Sequence, residues 1–212
     1  LAVVGSLAIA QAGSFFADFN NGLVPGNATI YGNTAVLPSG GYTNSGFLQL
    51  TPAVASQSAG FILNDLDAGT AAVGFSASFK CLIGGGGYTG FDGISFNFAA
   101  DLPDGPISEL GAGTGLTVAF ETAQNSATAP SIDVIVWGIE MMRTVPPNGV
   151  RTGTEWVDVV VQLNPNNSLT GSSTTGHTST RTSTSTPMGL FPRLAAGSDS
   201  APARRASLTT SG

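Results

Sequence analysis

Histidine and cysteine are almost missing from this chain of 212 residues, with one of each. Cys81 has no partner within the chain, so no internal disulfide holds the fold and thiolate metal clusters are excluded. A small buried side chain on a strand is its expected role. His177 lies in a Ser/Thr-rich tail, which leaves Ser-His-Asp, Cys-His and histidine-ligated zinc chemistry without their central residue. Charge is also scarce, at 9% of residues, so the surface must be made of Gly, Ser, Thr and Asn. Up to Pro165 there are three basic residues (Lys80, Arg143, Arg151) against twelve acidic ones, a net of −9. That balance argues against nucleic acid or an anionic membrane as partner and suits cations or neutral ligands. The apolar run Leu1–Ala12 is too short to span a bilayer, and no membrane insertion is expected.

Hydrophobic residues make up 42% of the chain, enough for a large core. From Phe15 to Gly60 short apolar runs alternate with turn clusters such as Asn20-Asn21-Gly22, Pro25-Gly26-Asn27 and Ser39-Gly40-Gly41, a spacing that belongs to an all-β fold. Ala72 to Ile83 alternates strictly and puts Val73, Phe75, Ala77, Phe79 and Cys81 on one face, as an inner strand of a two-sheet antiparallel β-sandwich would. The organising stretch is Phe91 to Asn125, which reads as two half-buried strands. Ser131 to Gly138 and Glu155 to Leu163 are further strands, with an irregular Pro/Gly loop from Arg143 to Gly153. Asp133 shares a face with Ile135 and Trp137 and is expected to cap a strand entry at the sheet edge. Gly84 to Gly87 lacks the helix and lysine of a phosphate loop.

Residues 1–12 end in Ala10-Gln11-Ala12 and read as the remnant of a secretory signal. Residues 13–165 form the β domain. Residues 166–212 are a low-complexity Ser/Thr/Pro-rich tail in which no apolar alternation follows Leu163. One reading is a glycosylated stalk or disordered end. The other is an out-of-frame translation: Ser-Thr alternation is what apolar/polar alternation becomes when codons are read one base away, so the closing strands would lie hidden beyond Leu169 to Ser173.

Asp92-Gly93-Ile94-Ser95-Phe96 with the Asp101-Leu102-Pro103-Asp104 turn, then Gly115 to Thr122 and Asn125, resembles the core of the L-type (legume-type) lectins. Gly46 to Thr51 followed by Ser56 to Leu63 extends the likeness. The resemblance implies a concanavalin A-like jelly roll and a secreted or cell-surface domain that binds a glycan or polysaccharide without catalysis. It also implies site residues: Asp92, Gly113 and Asn125 for the sugar, Glu121 and Asn125 for calcium. The pairing makes chemical sense, because sugar hydroxyls donate to a carboxylate and accept from N–H groups while calcium takes hard oxygens. The chain departs from the family at Ala119 and Ala129, where acids would complete a two-metal site, and at Phe91, before the sugar-binding Asp. These departures keep open a structural or adhesive laminin-G-like module. Endoglucanases share the fold, but their E-x-D-x-x-E strand is here reduced to Glu121, so no catalytic residue is expected.

Overall fold

The computed structural model describes residues 13–67, 72–84, 92–122, 130–166, 168–175, 178–184 and 205–211. The signal reading at 1–12, together with Phe91, Asn125, Ala129 and His177, falls outside them. The strands, in chain order, are β1 (Ala28–Gly32), β2 (Ala35–Leu37), β3 (Phe47–Gln49), β4 (Ser58–Leu63), β5 (Phe75–Cys81), β6 (Gly93–Ala99), β7 (Leu116–Glu121), β8 (Ser131–Val136), β9 (Ile139–Thr144), β10 (Val157–Leu163), β11 (Leu169–Thr175), β12 (Thr178–Thr184) and β13 (Arg205–Ser211). They form a seven-stranded sheet in the order β1-β4-β13-β6-β7-β8-β9, a four-stranded sheet β12-β11-β10-β5, and the small pair β2-β3. All pairings are antiparallel. No helix among the described residues is long and apolar enough to cross a membrane.

Alternation decides which residues meet between the two large sheets. Phe61, Ile94, Phe96, Val118, Phe120, Val134 and Val136 of the larger sheet share one core with Cys81, Val157, Val159 and Val161 of the smaller. Aromatic contacts cross the gap: Phe75 lies 5.6 Å from Phe96 and 4.6 Å from Phe98, and Phe79 lies 6.4 Å from Phe96, between ring centroids. The expected inner face of β5 holds from Phe75 to Cys81, and burial raises the Cys81 thiol to about 12. Val73 departs from it. This residue precedes the strand and is 70% exposed.

Two expectations change. The strands β6 and β7 are buried on both faces rather than half-buried, because the connection between them folds back over the outer face of the sheet. Strands also continue past Leu163: β11 pairs with β10, β12 with β11, and β13 runs between β4 and β6. Apolar alternation could not mark these three, since Ser and Thr supply strand-compatible backbone without an apolar period.

Candidate functional site

With Phe96, Val118 and Val134 turned inward, the same strands present Ser95 and Asn97 (β6), Thr117, Ala119 and Glu121 (β7), Ser131 and Asp133 (β8) and Arg143 (β9) on the outer face. The 100–115 connection covers one end of it. Asn97 is fully buried; its Oδ1 accepts from the Ala112 N–H at 3.3 Å and from Thr117 Oγ1 at 2.8 Å, and its Nδ2 donates to Ser95 Oγ at 3.1 Å. Ser95 Oγ donates in turn to the Ser108 carbonyl at 3.1 Å. Ile62, Ala99, Leu102 and Ile107 form a second apolar cluster under the same connection. The connection thus fills what would otherwise be an exposed polar sheet face, and its turn at Glu109 ends beside the acidic part of that face.

The rest of that face is rich in acids and is itself largely buried, with Ala119, Ser131 and Asp133 at 1% exposure or less. Gly93 stands opposite Glu121, and the Thr122 N–H donates to the Asp92 carbonyl at 3.0 Å, so Asp92 and Glu121 share one end of the β6–β7 pair. Gly93 is required there: at φ 151° a Cβ would lie 2.3 Å from the Phe120 carbonyl oxygen. Burial and the Glu109 charge push the Asp92 carboxyl upward.

On β8, Ser131 faces Glu121 and Asp133 faces Ala119, which makes Asp133 the diagonal neighbour of Glu121. Their carboxyls share a hydrogen bond. Burial, that hydrogen bond and the Asp133 charge lift the Glu121 carboxyl to about 7, against the opposing pull of Arg143. Arg143 stands opposite Asp133 and donates to both its oxygens, Nε to Oδ1 at 2.9 Å and Nη2 to Oδ2 at 2.6 Å. The same Nη2 lies 2.7 Å from Glu140 Oε2. Ser131 is fully buried, and its Oγ is the one buried side-chain polar atom without a hydrogen-bond partner among the described residues.

Of the residues expected from sequence, Asp92 and Glu121 lie at the same end of the β6–β7 pair. Gly113 does not join them. A Cβ on Gly113 would lie 2.8 Å from Asp101 Oδ1 and 2.9 Å from the Ala99 side chain, and Ala99 ends the strand that Gly93 begins, about 20 Å away at ~3.3 Å per residue. The connection that carries Gly113 instead delivers Glu109, whose charge acts on both Asp92 and Glu121. Asn125 lies outside the described residues. Asp133 needs a correction: it sits on an internal strand, 1% exposed and clamped by Arg143, and does not cap a sheet edge. Sequence reading missed Arg143 and Glu109. The signal for Arg143 was its ten-residue offset from Asp133 around Trp137-Gly138, but a Trp does not announce a hairpin turn.

No family model matches the chain, and no curated protein matches it by sequence. Solved structures match it by shape. The VIP36 exoplasmic/lumenal domain in its Ca2+/Man-bound form is 14% identical with a TM-score of 0.59, covering 88% of this chain and 77% of that one. In its metal-free form VIP36 gives 15% identity, a TM-score of 0.61, and coverage of 91% and 83%. The Emp47p carbohydrate recognition domain is 15% identical with a TM-score of 0.59, covering 97% of this chain and 90% of that one. At this identity the likeness concerns the fold: the chain has the all-β sandwich of the L-type lectin domains.

Proposed function

We propose that this domain binds glycans without acting on them, at the end of the β6–β7 pair where Asp92, Glu109 and Glu121 stay half-exposed, on the lumenal or extracellular side of a membrane. The observation that carries the reading is the placement of Asp92 and Glu121 at one end of the β6–β7 pair, with the Glu109 charge acting on both, on a sheet whose shape is that of carbohydrate recognition domains. VIP36 is an exoplasmic/lumenal domain with a mannose-bound form, which supports both the ligand class and the compartment. Asp92 supplies an acceptor for sugar hydroxyls, Glu109 a second one from the covering connection, and Asn125, four residues beyond Glu121 in sequence, an amide donor.

Hydrolysis has little to work with here. Glu121 is the one acid left of the strand motif that hydrolases of this fold carry, whereas a retaining pair needs two carboxyls about 5 Å apart to grip one glycosidic bond. Both Asp133 oxygens are also engaged by Arg143. Calcium at Glu121 and Asn125 is the finer expectation, and VIP36 has Ca2+-bound forms. The donors described here do not fit it. The nearest carboxylate to Glu121 is already committed to a guanidinium, the Glu121 carboxyl itself tends to hold its proton, and among the described residues no three acids, cysteines or histidines gather as a metal set. Recognition therefore rests on the protein's own polar groups.

A second reading, a structural or adhesive module, draws on the separation of Gly113 from Asp92. A glycan array probed with the full chain, including mannose-type oligosaccharides, separates the two. Binding that falls at least about tenfold in D92N, a loss of about 1.4 kcal/mol, with an unchanged melt supports recognition at this end. An array with no signal from a cooperatively folded protein moves the reading to the module.

A further inference from the structure

We propose that Arg143 is the resident cation of the acidic face, doing with a guanidinium what a bound divalent ion would otherwise do, so that the domain's stability is independent of calcium. The geometry is specific. A guanidinium presents parallel N–H groups in a fixed fork, and Arg143 uses Nε and Nη2 on the two oxygens of Asp133. Nη2 also reaches Glu140, placing one positive charge between two carboxylates of adjoining strands. Glu121 is joined to the same group through its hydrogen bond with Asp133, and the Arg143 charge acts on it directly.

Charge counting makes the point. Asp133 and Glu140 pair with Arg143, its charge acts on Glu121, and Glu109 acts on both Glu121 and Asp92; among the described residues Arg143 is the cation that the ion pairs place among these acids. Asp133 is 1% exposed, so its carboxylate has given up water and needs a strong partner within the protein. A metal ion that met this need would have to displace a covalently tethered cation whose fork already satisfies both oxygens. The tether also links function to fold. Arg143 is held opposite Asp133 by the β8–β9 pairing, so the strand that closes the sheet edge supplies the charge that organises the site.

The test is a thermal melt of the full chain with excess calcium and with chelator, for the wild type, R143M and R143K. The wild type is expected to melt at the same temperature in both. R143M is expected to melt about 5 °C or more lower in chelator and to regain part of that loss in calcium, because the vacated acids become a cation site. R143K keeps the charge but loses the fork; it is expected to melt between the other two and to ignore calcium. A wild type or R143K stabilised by calcium overturns the proposal, as does an R143M that melts like the wild type or shows no calcium response. If R143M fails to fold in chelator, folding on addition of calcium supports the proposal and failure in both conditions counts against it.

Discussion

A methyl group on Gly111 would lie 2.1 Å from Asn97 Oδ1 and 2.5 Å from Thr117 Oγ1, and the glycine stands at φ 80°. The covering connection can therefore lie on the sheet only with a glycine here and a short polar side chain beneath it. Glu109 depends on that seat, being two residues away.

Asn97→Ala is expected to cost about 3 kcal/mol, since it strands the Ala112 N–H and the Thr117 hydroxyl and takes one of the partners of Ser95 inside the protein. Gly111→Ala is expected to cost about 2 kcal/mol or more through positive φ and direct overlap. Urea denaturation of both variants and of the double variant checks this. The two losses should fall short of adding, because each frees the same connection; full additivity would mean that the seat is not shared.

Trp137 offers the opposite kind of change. It occupies the two-residue β8–β9 turn with φ 54°, followed by Gly138 at φ 72°, the pattern of a type I′ turn, and it is 45% exposed. Asn suits that conformation far better than a bulky residue. Trp137→Asn is expected to stabilise the protein by about 0.5–1 kcal/mol, read as a higher denaturation midpoint at unchanged slope. A lower midpoint would show that indole contacts outweigh the relief of strain.

The fold was legible where one face of a strand is apolar, as in β5, β8 and β10, because burial writes a period of two into the sequence. It was illegible where Ser and Thr fill a strand without an apolar period, as in β11 to β13, and where an aromatic residue takes a turn position. The site was half legible. Asp92 and Glu121 could be found because they flank marked strands, and register then sets them at one end of the β6–β7 pair. Arg143 could not be found, since its meeting with Asp133 depends on a hairpin turn that opens on a Trp and on a bulge between Val134 and Ile135. Gly113 was misplaced for a related reason: the path of a long connection over a sheet is set by contacts such as Asn97 to Ala112, which spacing does not reveal.

The tail invites a test at the level of the gene. The proposal that residues 166–212 are an out-of-frame translation of the closing strands expects a second open frame with apolar/polar alternation beyond Leu169 to Ser173. Sequencing the transcript there, together with an intact mass of the protein from its natural source, decides the matter. A mass equal to that of the Ser/Thr sequence would end the idea, whatever the second frame encodes.

Glu121 should make stability depend on pH with a sign opposite to that of an ordinary paired acid. Its carboxyl is raised from 4.5 to about 7, first by burial and then by the hydrogen bond and charge of Asp133, with Glu109 adding to the rise and Arg143 opposing it. Between these two values the folded chain holds a proton that the unfolded chain has released. Stability therefore falls as pH climbs from about 4.5 to about 7 and, as far as this group goes, levels off above. Glu121→Gln keeps an oxygen acceptor and gains an N–H donor toward Asp133, but it cannot ionise. Its stability is expected to exceed that of the wild type above about pH 7 and to lose the slope below it. Urea midpoints of both proteins across that range are the measurement. A wild-type slope that persists in Glu121→Gln would assign the effect to another acid of the face, with Asp92, also shifted upward by burial and Glu109, the next to replace.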